Sequence, residues 1–117
     1  MTVIINKQEE LEALIDKNNN IIIGDDLIIR CDIDIEANIN AGNIEARNIK
    51  AHNIEAFYIK ANDIKADDID IDHINAHNIS YDTFCIARKS LICETIEGRR
   101  ENSIHACLNQ PIEYIKW

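Results

Sequence analysis

Isoleucine recurs at every fifth residue through the middle of the chain. A step of five residues turns an α-helix by roughly 500°, so successive isoleucines could not share one helical face. Most of them are followed two residues later by alanine, as in Ile44-Glu45-Ala46. In a strand, residues two apart point the same way, so each unit predicts a short strand followed by a corner. The nine isoleucines in phase are Ile39, Ile44, Ile49, Ile54, Ile59, Ile64, Ile69, Ile74 and Ile79.

Units this short predict a solenoid, because one unit cannot bury its apolar side chains without the coils above and below it. The pairing of surface charges is used to choose the number of units in each coil. With four units, residues twenty apart are stacked and Glu45 lies over Lys65. With three units, Lys50 lies over Lys65 and Asp67 over Asp82, and like charges directly opposite each other are unfavourable. The sequence therefore favours a four-sided coil of twenty residues.

An asparagine or aspartate stands directly before most of the isoleucines. Asparagine tolerates a left-handed or turn backbone, and its side chain could stack with the equivalent side chain of the next coil. We therefore expect these residues to mark the corners of the coils. They are Asn43, Asn48, Asn53, Asp63, Asp68 and Asn78.

These units resemble those of the pentapeptide-repeat proteins, whose chains wind into a right-handed quadrilateral β-helix. The resemblance rests on the runs Asn43–Arg47, Asn48–His52, Asn53–Ala56 and Asn78–Ile79. The usual unit of that family has a small residue two positions before a large apolar one, whereas here the large residue comes first. The resemblance covers residues 29–84 and implies an all-β fold, a short right-handed four-sided parallel β-helix.

The N-terminal flank is expected to cover the open end of the first coil. Val3–Ile5 predicts a strand, and Asn6 with Glu9 has the pattern of a helix-capping box. An amphipathic helix is predicted from there to about Lys17, with its apolar stripe at Leu11, Leu14 and Ile15.

The repeat itself begins with a slip in register. Ile29 and Cys31 occupy the large and small positions in phase, but Ile33 and Ile35 come one residue early. This predicts a bulge or widened corner near residues 32–38.

The C-terminal flank loses the five-residue rhythm and is expected to cap the last coil. A β-hairpin is predicted from residues 90–97 and 103–108 around the turn at 98–102, followed by a strand at 112–115. The chain is thus predicted to be a single domain, residues 1–117, with an N-terminal cap (1–28), a β-helix (29–84) and a C-terminal cap or dimerisation element (85–117).

The four cysteines show no CxxC spacing, and we expect reduced, buried thiols. They are Cys31, Cys85, Cys93 and Cys107. An alternative is a metal site built from Cys93, His105 and Cys107 with Cys85 as fourth ligand, and disulfides are a second alternative. No metal and no cofactor is predicted.

Acidity is the strongest functional signal. The net charge is −9, and residues 32–82 hold eleven acidic against four basic residues. A rod with regularly spaced carboxylates attracts basic grooves on other proteins. The expected partner-binding face consists of Asp63, Asp67, Asp68, Asp70 and Asp72.

We expect a non-enzymatic protein-binding module that acts as an interaction or scaffold protein. The alternative is an acidic DNA mimic that inhibits a nucleic-acid-handling enzyme. The resemblance supports this alternative, because several pentapeptide-repeat proteins occupy the DNA groove of type II topoisomerases. A phage-encoded inhibitor of a host nuclease belongs to the same class.

Other classes of function are not favoured. Direct nucleic-acid binding is not expected because basic residues such as Arg88, Lys89, Arg99 and Arg100 are few. Catalysis is not expected because Ser80, Ser90 and Ser103 lack the context of a nucleophile, and no glycine-rich phosphate loop is present. The longest apolar run is too short to span a membrane, so a cytoplasmic protein is predicted.

A homodimer is also expected, through the C-terminal hairpin. Tyr114 and the single tryptophan, Trp117, lie near the end of the chain and are the predicted dimer contacts.

Overall fold

A computed structural model describes residues 2–116, which wind into an all-parallel β-solenoid of about six coils. The predicted parallel β-solenoid is confirmed. The long strand β6 turns the corners of successive coils and pairs in parallel with five other strands. In chain order the elements are β1 (Val3–Ile5), α1 (Gln8–Glu12), β2 (Asn20–Ile29), β3 (Ile33–Asp34), β4 (Asn38–Glu45), β5 (Asn48–Lys50), β6 (Asn53–Cys93), β7 (Thr95–Gly98), β8 (Ile104–Cys107) and β9 (Glu113–Tyr114).

The regular coil contains three five-residue units. Ile39 pairs with Ile54 and Ile44 with Ile59, so residues fifteen apart are stacked. The predicted coil of twenty residues is therefore wrong. Lys50 pairs directly with Lys65. The expected repulsion between these two lysines was the reason for favouring a four-unit coil. Exposed charge pairs change stability by only ~0–1 kcal/mol, which is too little to set the register against the burial of isoleucine.

The core is the stack of isoleucines that the periodicity predicts. All nine in-phase isoleucines are at most 2% exposed, and the alanines that follow them are also buried, from Ala76 at 0% to Ala51 at 6%, except the half-buried Ala46. Each unit therefore turns its two apolar side chains inward, as the strand spacing requires. Where Tyr81 takes the place of an alanine it is also buried, in a coil that has widened to seventeen residues between Ile79 and Ile96.

The first coil is wider than the repeat because its units have six residues. The inward positions are Ile21, Leu27, Ile33 and Ile39, and their pairing partners are eighteen, seventeen, sixteen and fifteen residues further on. The expected widened corner after residue 32 is thus present, and two more precede it, one at a register shift after Ile23. The prediction that Ile29 occupies the large apolar position is wrong. Leu27 holds that position, because Leu27 pairs with Ile44 and Ile28 with Glu45.

Side-chain ladders run along the corners of the solenoid. Asn43 donates to Asp26 Oδ1 (2.8 Å), Asn48 to Asp32 Oδ1 (3.0 Å) and Asn78 to Asp63 Oδ1 (2.8 Å). The expected stacking is confirmed for Asn43, Asn48, Asp63 and Asn78 but not for Asp68, whose Oδ1 has no hydrogen-bond partner within residues 2–116. The expected left-handed backbone at these corners is not found, because within residues 2–116 the one non-glycine residue with positive φ is Asn19 (65°). The amide hydrogen bond between coils explains asparagine here, rather than a special turn.

Amide side chains cover part of the N-terminal end, next to β1, which pairs with β2 alone within residues 2–116. Gln8 of α1 donates to Asp34 O and accepts from Asp34 N, both at 3.0 Å, which occupies the open edge of β3 as a further strand would. Asn19 Nδ2 likewise donates to Glu36 O. The predicted cap is therefore present.

The predicted details of the capping helix are wrong in two respects. The helix ends at Glu12 instead of about Lys17, and the residue that reaches back to the amides of Asn6 and Lys7 is Glu10 instead of Glu9.

The C-terminal segment continues the solenoid, so the predicted hairpin is wrong. Strands β7, β8 and β9 each pair in parallel with β6. The turn that suggested a hairpin is a long corner, fixed by Ser103 Oγ, which donates to Asp82 O (2.5 Å) and accepts from Arg100 N. Alternating strands around a glycine give the same sequence signal in a hairpin and in a solenoid corner, because both need only strand, turn and strand.

Candidate interaction surfaces

The five aspartates predicted to form one acidic face are dispersed and largely paired. Asp63 accepts from Asn78 in a corner ladder. Asp70 and Asp72 both pair with the guanidinium of Arg88, and this pairing raises the pKa of Arg88. Asp68 lies one residue after Asp67, and its Oδ1 is buried without a hydrogen-bond partner within residues 2–116.

Asp67 belongs to a short stack of charged side chains on successive coils. Its carboxylate lies 3.2 Å from His52 Nδ1 and shares a hydrogen bond with Asp82. Burial opposes the charged form, but the hydrogen bonds with Asp82 and His52 outweigh it and lower the pKa of Asp67. Asp82 in turn pairs with Arg99 (2.8 Å) and Arg100 (3.7 Å). Arg99 and Arg100 thus offset the negative charge of Asp82 beside Asp67.

The exposed negative charge lies nearer the N-terminus than predicted. Residues 1–45 contain ten acidic and three basic residues, whereas residues 46–82 contain seven and four. All ten acidic residues of the first group except the half-buried Asp26 are exposed. Five of the seven acidic residues in residues 46–82 are half-buried. The acidic surface is therefore built around α1 and the first coil. The signal was present in the sequence as charge density, but the run of aspartates from 63 to 72 is more conspicuous.

Phe57 stands half-exposed (52%) on a corner between coils, in a place that sequence reasoning missed. Its ring centroid lies 5.4 Å from that of His73 in a T-shaped contact, and Lys89 Nζ lies over the ring, 5.4 Å from its centroid. Gly42 occupies the same position one coil earlier, since Ala41 pairs with Ala56. The available sequence cue is this single aromatic residue in line with a glycine.

A groove of about 420 Å³ opens beside this ring, between β2, β4 and β6. Its apolar part is formed by Ile28, Phe57 and Tyr58, and Asp26, Glu45 and Lys60 lie at its rim. We call this the Phe57 groove. It is lined by Asp26, Leu27, Ile28, Asn43, Ile44, Glu45, Phe57, Tyr58 and Lys60.

The last coil presents a second apolar surface, here called the C-terminal end and formed by β7, β8 and β9. Ile104 (62%), Leu108 (67%) and Tyr114 (58%) are all well exposed there. Within residues 2–116 each of these three strands pairs with β6 alone, so its other edge is open. Of the two predicted dimer contacts, Tyr114 lies on this surface and Trp117 lies outside the described residues.

All four cysteines are free thiols, and the predicted burial holds for Cys85 and Cys93, whereas Cys31 and Cys107 are half-buried. Burial raises the pKa of Cys85 to about 12 and that of Cys93 to about 11. The metal-site alternative finds no support in residues 2–116, where no three histidine, cysteine or carboxylate side chains are grouped to hold an ion. His105 instead places Nδ1 2.5 Å from the buried hydroxyl of Tyr81.

The chain was compared with family models, curated proteins and solved structures, and no match was found. Over residues 2–116, no helix has the length and apolarity that a membrane crossing requires.

Proposed function

We propose that the chain is a non-enzymatic protein-binding module with a scaffold role, and that it joins other proteins through its C-terminal end. The observation that carries this proposal is the difference between the two ends of the solenoid. At the N-terminal end, the amides of Gln8 and Asn19 occupy open backbone groups. At the C-terminal end, the open edges of β7 to β9 remain next to exposed Ile104 and Leu108. Open edges of this kind are templates for another chain.

The first partner that this surface suits is a second copy of the chain. Residues 83–117 hold four acidic and five basic residues, whereas residues 1–82 hold seventeen and seven. Two copies that met through residues 1–45 would bring strongly negative surfaces together. A twofold axis through the C-terminal end avoids that repulsion and lets the edge strands of the two copies run antiparallel.

The expected result is a dimer in solution. Light scattering after size-exclusion chromatography at tens of micromolar should give about twice the 13.4 kDa mass of the chain. Ile104→Glu should shift the mass to that of a monomer, because it places a carboxylate in the centre of the proposed contact. Ile22→Glu is the matched control, since Ile22 is similarly exposed (66%) in β2 at the opposite end. A monomer at all concentrations, or equal behaviour of the two variants, would refute the proposed contact.

A second candidate function is the acidic mimic of DNA, and the charge density around α1 favours it. The exposed carboxylates Glu9, Glu12, Asp34 and Glu36 are nearby in the chain or linked through the contact of Gln8 with Asp34. Such a surface would bind the basic channel of a topoisomerase or nuclease. Screening at ~0.5 M salt shortens the Debye length to ~4 Å and should abolish that binding.

Displacement of a fluorescent DNA duplex from a bacterial type II topoisomerase tests this function. Neutralising Glu9, Glu12, Asp34 and Glu36 to Gln or Asn should remove the displacement. Neutralising the paired Asp70 and Asp72 should change it less, because only two charges are removed and Arg88 already offsets one of them. Absence of displacement at low salt would exclude this enzyme class as the target.

We also infer a relation to the pentapeptide-repeat proteins. The five-residue unit and the parallel solenoid support it, whereas the three-unit coil differs from the four-sided coil of that family.

A further inference from the structure

The interior of the solenoid is uncovered at the C-terminal end. Cys107 occupies an inward position of the last coil, because it pairs with the fully buried Ala87. Tyr114 is inward for the same reason, since its pairing partner Cys93 is also fully buried. Cys107 is nevertheless only half-buried, and Tyr114 is 58% exposed. Core positions this open are those that a further coil or a second copy of the chain would cover.

His105 places an imidazole ring in this uncovered interior. Its pairing partner Cys85 is 0% exposed, so the ring of His105 points inward. The ring packs edge-on against Tyr81, with 5.7 Å between the ring centroids, and its Nδ1 lies 2.5 Å from the Tyr81 hydroxyl. His105 remains exposed because β8 pairs with β6 alone within residues 2–116. A second copy that covered the C-terminal end would enclose it.

The contact with Tyr81 favours the neutral ring of His105. Burial raises the pKa of the Tyr81 hydroxyl, which therefore keeps its proton. A buried O–H group needs an acceptor, and Nδ1 of His105 serves as one when it carries no proton. In the neutral ring the proton is then on Nε2. Protonation of Nδ1 would turn this acceptor into a second donor facing the hydroxyl.

The titratable side chains that face the ring carry no charge near neutral pH. They are tyrosines and cysteines from β6, β8 and β9, and burial raises the pKa of one of them, Cys85, to about 12. This group consists of Tyr81, Cys85, Cys107 and Tyr114.

The charged side chains around the last coil lie outside this interior. Glu97 of β7 pairs with Ser80, which alternates with inward residues of β6 and so belongs to the outer face. Glu113 of β9 likewise pairs with Ile92 on the outer face. Arg99 and Arg100 are held at the corner by Asp82. A protonated His105 therefore gains no counter-ion from these side chains.

We propose that His105 is a pH switch for the C-terminal end: two copies enclose the neutral ring, and protonation of the ring separates them. Enclosing a charged ring among apolar side chains without a counter-ion costs much more than enclosing a neutral one. The dimer therefore favours the neutral form, so its stability is complete above the pH range in which histidine titrates and is lost as the pH falls. The switch rests on the dimer proposed above and adds a condition under which it dissociates.

The test is a dilution series of the full chain in sedimentation velocity at about pH 7.5 and about pH 5.5, on either side of the ordinary histidine titration. The dissociation constant should be at least ~10-fold weaker at the lower pH. Net charge acts in the opposite direction, because the charge of −9 approaches zero near the isoelectric point of about 4.7 and repulsion between copies declines. Weaker association in acid therefore has the sign that the switch predicts and net charge does not.

Variants assign the response to His105. His105→Gln keeps an acceptor for Tyr81 without a titrating ring and should stay dimeric at both pH values, a gain in acid that an unfolded variant could not show. Tyr81→Phe removes the hydroxyl that favours the neutral ring and should move dissociation to higher pH. His52→Gln is the matched control, since His52 lies on a corner beside Asp67 and its loss should leave the response unchanged.

The outcomes separate the switch from the dimer. Equal or tighter association at the lower pH would overturn the switch and leave the dimer in place. A His105→Gln variant that still dissociates in acid would do the same. A monomer at both pH values would overturn the dimer and the switch together.

Discussion

Replacing Ile59 with alanine is expected to lower the free energy of unfolding by ~2–5 kcal/mol. Ile59 is fully buried (0% exposed) in the middle of the stack and pairs with Ile44 of the preceding coil. The substitution removes three carbon atoms from a column that neighbouring coils cannot easily fill, because their backbones are fixed by the parallel ladder. Urea denaturation of the variant and of the parent chain measures the difference.

Ile22→Ala is the control for this experiment. Ile22 is 66% exposed on the outer face of β2, so the same chemical change should alter stability by less than ~0.5 kcal/mol. A loss below ~1 kcal/mol for Ile59→Ala, or equal losses at the two sites, would contradict the inward stack of isoleucines. If the chain dimerises, both variants must be compared at one protein concentration, since association adds to apparent stability.

Gly98→Ala is expected to have the next largest effect, a loss of ~1–3 kcal/mol from overpacking. A Cβ at residue 98 would overlap the side chain of Ser103 and lie 2.9 Å from the hydroxyl of Tyr81. Both neighbours are fixed, because Ser103 closes the long corner and Tyr81 is buried with its hydroxyl on His105. The substitution should therefore disturb the last coil and, with it, the C-terminal end. Thermal and urea unfolding measure the loss.

The other glycines provide an internal scale. A Cβ at Gly24 would meet nothing within 4 Å, so Gly24→Ala should be neutral or slightly stabilising through the unfolded state. A Cβ at Gly42 would approach Asp25 O to 3.0 Å, and Gly42→Ala should fall between the two. The expected order of stability loss is Gly24→Ala, then Gly42→Ala, then Gly98→Ala. An equal loss for Gly24→Ala and Gly98→Ala would mean that the Cβ contacts do not determine the cost of these substitutions.

The inward pattern could be predicted from the sequence because it depends on one strong term. Burial of an isoleucine such as Ile54 contributes ~1.5–3 kcal/mol, and nine of them share one period. The number of units in a coil depends on much weaker terms. Lys50 stacks on Lys65 and Asp67 on Asp82, although both contacts are unfavourable when considered alone.

The candidate surfaces were harder to predict because each depends on pairing between coils. Arg88 lies sixteen residues beyond Asp72, so its neutralising role becomes visible only when the register is known. The Phe57 groove requires the same register, since Ile28 and Tyr58 are far apart in the sequence. The C-terminal segment that carries Tyr114 was predicted as a hairpin, whereas it forms a further part of the solenoid with open strand edges.

The fifteen-residue coil also determines which changes in length preserve the fold. One extra five-residue unit between Asp63 and Asn78 would keep the isoleucine period but place these two residues on different sides, so the ladder between them would be lost. A duplication of fifteen residues would restore every stack one level higher. Evolution or design could therefore lengthen this rod in whole coils, with the N-terminal cap and the C-terminal end carried along unchanged.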